Sequence, residues 1–141
     1  RMEIIKLSGS ILAINDTYNA NPESFLSALE TLQKIPAKGK KYVIAGDMFE
    51  LGNTSDREHR LLGKEMAKYK FAAYYFTGKA MKQAFAALIN SNKKLHASYD
   101  SSKEDIINAL HSVLKKGDVI LVKGSRGMKM ETIIEQLRMT N

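Results

Sequence analysis

Apolar residues open the chain in two short bursts, "RMEIIKL" and "SILAIND", separated near Ser8-Gly9. That pattern predicts two strands, at about 2–7 and 10–15, joined by a tight turn. From Pro22 the period changes. Phe25, Leu29, Leu32 and Ile35 recur every three or four residues, which predicts a helix from Pro22 to about Ile35. "YVIAG" at 42–46 is a continuous apolar run, too short for a helix and suited to a strand covered on both faces.

The alternation then repeats. Ser55 and Glu58 stand at capping-box spacing ahead of a helix that runs to about Tyr69. "FAAYYF" at 71–76 reads as a strand, and Met81, Ala84, Phe85 and Leu88 mark the helix after it. A weaker strand falls at 95–99, and Ser101 with Glu104 starts a helix through Ile106, Ile107, Leu110 and Leu114. "DVILV" at 118–122 is the last strand, and Met130, Ile133, Ile134 and Leu137 line a closing helix. Strands alternating with helices imply an α/β, Rossmann-like three-layer sandwich. Its sheet is expected to hold about six strands, mostly parallel, with one antiparallel strand at the N-terminal edge. No repeat or linker interrupts residues 1–141, so they are read as one domain.

Composition adds exclusions. With 44% hydrophobic and 26% charged residues the chain is built to fold, and no apolar run approaches a membrane span. The absence of cysteine removes disulfides and cysteine-based zinc sites, and fits a cytoplasmic location. A formal charge of +7 favours anionic ligands. The basic residues come in short clusters, among them Lys38, Lys40 and Lys41, Lys93 and Lys94, and Lys115 and Lys116. They fall at expected helix-to-strand turns and read as a solvated edge, not as a nucleic-acid footprint on one face.

In folds of this class ligands bind beyond the carboxyl ends of the strands. Four segments qualify: Asp16 to Asn21, Gly46 to Asn53, Thr77 to Lys79, and Lys123 to Lys129. Asn21 before Pro22 is a strong helix start, because the amide caps and proline suits the first helical position. Capping does not account for Asp16, Tyr18 and Asn19, which face a positive helix terminus where an acid suits ribose hydroxyls. Asp47, Glu50 and His59 match no metal-ligand spacing, and an isolated histidine early in a helix reads as a surface or capping residue. "VKGSRGMKME" places Lys123, Ser125 and Arg126 around glycines just past a strand, which suits a phosphate or carboxylate. Neither a P-loop nor a G-x-G-x-x-G fingerprint occurs.

Three stretches together, "INDTYNANPES", "VIAGDMFELG" followed by His59, and "VILVKGSRGMKME", resemble the C-terminal domain of the Mur ligases. "YNANP" and "KGSR" followed by Met-Glu resemble the branch that adds D-alanyl-D-alanine to UDP-N-acetylmuramoyl-tripeptide in peptidoglycan synthesis. The resemblance implies a three-domain enzyme, with an N-terminal domain for the uridine nucleotide sugar and a central P-loop ATPase. Arg1 matches an arginine at the junction with that central domain, so the chain is expected to be an excised C-terminal piece, inactive alone. The implied reaction is ATP-driven. ATP phosphorylates the tripeptide carboxylate, the dipeptide amine attacks the acyl phosphate, and the pentapeptide precursor, ADP and phosphate are released. Magnesium is implied at the central domain, and no metal ligand in this one. This domain would close over the nucleotide and seat the dipeptide, excluding water from the acyl phosphate.

Carried over by residue, Arg1 and Asp16 are implied contacts to the base and ribose of ATP, with Tyr18, Asn19 and Asn21 in the loop beside them. Asp47, Lys123, Ser125 and Arg126 match positions around the dipeptide, and no residue here is assigned catalysis. Asp16, on this reading, matters for nucleotide use more than for folding. Two other classes compete. A phosphoacceptor receiver domain would use Asp16, Asp47, Thr77 and Lys123, but an extra strand lies between the last two and paired acids are missing at Asn15-Asp16. A nucleic-acid-binding module rests on charge alone, and the aromatic residues fall mostly in strands and on helix faces.

Overall fold

The structure is a computed structural model that describes residues 2–139. β1 (Glu3–Leu7) and β2 (Ile11–Asp16) form the expected hairpin, joined by a helical turn over Ser8–Ser10 in which Gly9 takes a left-handed φ of 72°. The remaining elements are α1 (Pro22–Lys34), β3 (Lys41–Ala45), α2 (Ser55–Met66), β4 (Ala73–Phe76), α3 (Met81–Ser91), β5 (Ala97–Tyr99), α4 (Lys103–Val113), β6 (Val119–Lys123) and α5 (Glu131–Met139). The six strands lie in the order β1-β2-β6-β3-β4-β5. Only the β1–β2 pair is antiparallel among them.

Side-chain alternation along each strand divides the core into two layers. Ile14, Val43, Leu121, Tyr74 and Phe76 pack with α1, α2 and α3 on one face. Ala13, Ile44, Ile120, Val122 and Tyr75 pack with α4 and α5 on the other. The central strand β6 is buried along its whole length, which explains why it reads as an unbroken apolar run.

Two helix starts differ from the expected ones. Ser55 is not a cap: a helical turn over Gly52–Thr54 runs directly into α2, so Thr54 is already helical and makes no side-chain cap. Ser55 then lies inside the helix, with its carbonyl accepting from His59 Nδ1 at 2.8 Å. At α4 the cap is Ser102, whose hydroxyl accepts from the Asp105 amide at 3.2 Å, one residue beyond the expected Ser101. α2 also stops at Met66, short of Tyr69, because the Lys68 and Tyr69 amides bond back three residues to Glu65 and Met66 and tighten the chain out of the α-helix.

Candidate functional site

β2 and β6 run parallel with Asp16 opposite Lys123. Both side chains therefore point to the α1 face. The Lys123 ammonium is 1% exposed. It donates to Asp16 Oδ2 at 2.9 Å and to the Asn19 carbonyl at 3.0 Å, and sits 5.4 Å from the centre of the Phe25 ring. A buried cation thus ties the end of β2 to the middle of the segment that leads to α1. Asp16, expected on the loop beyond a strand ending near residue 15, is the last residue of β2 and is 7% exposed.

The rest of that segment is fixed by local bonds. The Asn19 side chain accepts from the Ala20 amide at 2.9 Å. Asn21 completes a capping box: its Oδ1 accepts from the Ser24 amide at 2.8 Å while Ser24 Oγ accepts from the Asn21 amide at 3.0 Å. Pro22 follows at the first helical position, as its sequence position implies. Asn21→Ala is expected to cost about 1 kcal/mol of stability, read as a lower midpoint in urea unfolding with an unchanged slope.

A second set of bonds joins the loop after β3 to the loop after β6. Asp47 is buried, and its carboxylate accepts from the Ala80 and Met81 amides at 3.2 and 2.8 Å, so it caps α3. Gly78 is obligatory beside it. Its φ is 107°, and a Cβ there would lie 2.2 Å from Asp47 Oδ1. Ser125 is 5% exposed; its amide donates to the Asp47 carbonyl at 2.9 Å and its hydroxyl accepts from the Phe49 amide at 2.7 Å. Lys103 donates to the carbonyls of Met128 and Lys129 at 2.9 and 3.2 Å, tying the helical turn over Arg126–Met128 to α4.

His59 belongs to this bracing and was not legible as such. It is fully buried, not a surface or capping residue. Its Nε2 accepts from the Met48 amide at 3.1 Å, which leaves Nδ1 to carry the proton donated to the Ser55 carbonyl. Nδ1 is thereby anchored within α2, while Nε2 holds the 46–54 segment against that helix. At the end of β5, partial burial and the neighbouring Asp105 carboxylate raise the Asp100 carboxyl above its ordinary value.

Tyr18 and Arg126 stand above this framework. Tyr18 is 57% exposed, and the Arg126 guanidinium lies 5.0 Å from the centre of its ring. They border a cavity of about 600 Å³ that Asn15, Thr17, Glu131 and Glu135 also line. Residues expected to meet two different ligands thus share one rim. A molecule bearing both signs of charge suits such a rim, with a carboxylate toward the guanidinium and an ammonium toward the α5 glutamates. Of the nine residues expected at the site, Arg1 lies outside the described residues. Asp16, Asn19 and Lys123 form one buried knot, Asn21 caps α1, and Asp47 and Ser125 brace loops. Tyr18 and Arg126 are exposed at the rim of the cavity. Among the described residues no three His, Asp or Glu side chains cluster as a metal site would require.

The family model for the Mur ligase, glutamate ligase domain, matches residues 1–126. The chain is 34% identical over 137 residues to the UDP-N-acetylmuramoyl-tripeptide--D-alanyl-D-alanine ligase of Bacillus subtilis, covering 97% of this chain and 30% of that protein. It is 37% identical over 139 residues to the ligase of the same name from a Buchnera aphidicola strain, covering 97% of this chain and 28% of that one. Among solved structures it superposes on the MurF ligase of Thermotoga maritima in complex with ADP, with a TM-score of 0.80 and 30% identity over 96% of this chain and 30% of that one. A MurF structure from Acinetobacter baumannii gives 0.83 at 29% identity, over 99% of this chain and 30% of that one. The chain spans about 30% of the length of these relatives.

Proposed function

The chain belongs to the Mur ligase family through its glutamate ligase domain, and on that premise we propose that it is the C-terminal domain of an ATP-dependent ligase joining D-alanyl-D-alanine to UDP-N-acetylmuramoyl-tripeptide. The observation that supports this most is the rim of Tyr18 and Arg126 on loops locked from beneath, in a chain whose relatives of that name align along nearly its whole length. On this reading the magnesium ion and the phosphate cradle belong to a central domain of the full-length protein, and this domain is the lid. Its loops are suited to that work, because a lid must arrive at the nucleotide with its contacts already in place.

The division of labour follows from exposure. Tyr18 meets the nucleotide, and the knot of Lys123, Asp16 and the Asn19 carbonyl sets its position. Arg126 takes the carboxylate of the dipeptide, since a planar fork binds a carboxylate at two points and fixes its direction. Glu131 and Glu135 face the same cavity and offer acceptors to the dipeptide's amino end. Asp47 and Ser125 act through the loops they hold together.

The test compares the full-length protein with this 141-residue chain. The full-length protein should release ADP only when both D-alanyl-D-alanine and UDP-N-acetylmuramoyl-tripeptide are present. The chain alone should bind no more than weakly and turn over no ATP. Steady ATP hydrolysis by the chain alone would defeat the reading. Equal ADP release with D-alanine in place of the dipeptide would move the protein to another branch.

A further inference from the structure

The lysine clusters that the sequence scatters over separate turns are brought into one row by the topology. In a parallel α/β sheet every helix-to-strand turn lies at the amino edge, opposite the ligand edge. The turn before β6 holds Lys115 and Lys116, and the turn before β3 holds Lys38 and Lys40. The turn before β4 holds Lys68 and Lys70, and the turn before β5 holds Lys93 and Lys94. These four strands are consecutive neighbours in the sheet. Their amino ends are nearly level, with Lys41 opposite Val119, Tyr42 opposite Ala73 and Tyr74 opposite Ala97. At a strand spacing of about 4.8 Å, the turns place eight exposed lysines in one continuous band.

The band is more than a set of helix-end charges. α1 and α2 already carry Lys34 and Lys64 in their last turns, and the eight lysines lie beyond the helices. The four turns contain one acid, Asp118, and it is 3% exposed and turned inward. Its carboxylate accepts from the Lys40 amide at 2.7 Å and the Lys115 amide at 2.8 Å, so it fastens two lysine-bearing turns side by side. Gly39 and Gly117 pack backbone to backbone at the same point, with the Gly39 amide donating to the Gly117 carbonyl at 3.0 Å. A cavity of about 610 Å³ opens there, with Lys38, Lys40, Lys115 and Lys116 on its wall. The opposite edge differs in kind. Its loops mix Asp47, Glu50 and Asp100 with Lys79, Arg126 and Lys129, and carry no net charge. Among the described residues, Lys68 alone of the eight pairs with a carboxylate, that of Glu65 at 2.8 Å.

We propose that this lysine band at the amino edge of the sheet is a docking surface for a bilayer rich in anionic phospholipid. The chemistry favours lipid over nucleic acid. The band is all lysine, with none of the arginine forks that suit fixed phosphate geometry. The nearby aromatics offer no stacking platform either: Tyr42 and Phe71 are buried, and the Tyr69 ring lies against Phe71 with its hydroxyl bonded to Glu30. Point charges spread along the edge suit a diffuse negative surface, and four to eight lysines are the number such attraction needs. Docked this way, the ligand edge faces away from the lipid.

The experiment is co-sedimentation of the full-length protein with vesicles of phosphatidylcholine containing about one third phosphatidylglycerol, which supplies the diffuse negative charge. Binding is expected at low salt, falling as added salt shortens the screening length. Replacing Lys38, Lys40, Lys115 and Lys116 with Gln should weaken it about six hundredfold, at about fivefold per lysine. These side chains are exposed, and the bonds to Asp118 use backbone amides that the substitutions keep. Arg57→Gln with Arg60→Gln, Lys79→Gln and Lys82→Gln removes the same charge away from the band, on α2 and at the opposite edge, and should leave binding within a few-fold. Equal loss in both variants would show a response to net charge alone and overturn the proposal. No binding to the anionic vesicles, or tighter binding of random duplex DNA through the same four lysines, would overturn it as well.

Discussion

Asp16→Ala is expected to destabilise the protein by about 3–5 kcal/mol, because it leaves the Lys123 ammonium buried without its counter-charge. From the sequence, Asp16 is expected on a loop at the ligand-binding edge, where its loss would spare the fold and raise the Michaelis constant for ATP. Burial changes that expectation. Lys123 is 1% exposed and has Asp16, the Asn19 carbonyl and the Phe25 ring around it. Urea unfolding should show a large drop in midpoint. The informative companion is the double variant Asp16→Leu with Lys123→Met. Apolar replacement of a whole buried pair is often neutral, so this protein should recover most of the lost stability. It should nevertheless use ATP poorly, because the anchor on the Asn19 carbonyl is gone and the Tyr18 segment is no longer set. A double variant as unstable as Asp16→Ala would show that the loop, not the unpaired charge, is what Asp16 maintains. Normal ATP use by the double variant would remove the knot from the site.

The elements were legible because each has a local cause. The 42–46 run is apolar since β3 is covered on both faces, and Asn21-Pro22 starts a helix by bonds that reach three residues. The start of α2 was misplaced because the helical turn over Gly52–Thr54 feeds it, and no side-chain pattern marks such an entry. Pairings across the sheet were illegible for a different reason. Asp16 meets Lys123 only because β2 and β6 are neighbours in register, though 107 residues separate them. His59 could not be read as a brace, since its partner on Met48 is a backbone amide, which every residue but proline possesses. The Tyr18 and Arg126 loops do follow β2 and β6 at the carboxyl edge, but the sequence did not show that the guanidinium would lie over the ring. The lysine band was hidden likewise: strand order, not sequence order, makes neighbours of the turns at 38–40 and 115–116.

Arg126→Lys should raise the Michaelis constant for D-alanyl-D-alanine about tenfold to a hundredfold in the full-length enzyme, with little change in that for ATP. The size follows from a charge-assisted hydrogen bond worth about 1.5–3 kcal/mol. A lysine keeps the positive charge, so long-range attraction survives and only the two-point hold on the carboxylate is lost. The site tells against simple bracing. Arg126 is exposed, it lies over the exposed ring of Tyr18, and it borders a cavity that also receives Glu131 and Glu135. Bracing of the neighbouring turn is done by Ser125 and Lys103 through bonds that the substitution does not touch. Tyr18→Leu provides the contrast: it removes the ring beneath the guanidinium and should weaken ATP and dipeptide together, because on the proposed reading the same side chain borders both ligands. If Arg126→Lys instead damages both constants equally, the arginine acts through Tyr18 as a positioning residue. If it damages neither, the dipeptide carboxylate is held elsewhere, and the glutamates of α5 lose their reason to face this cavity.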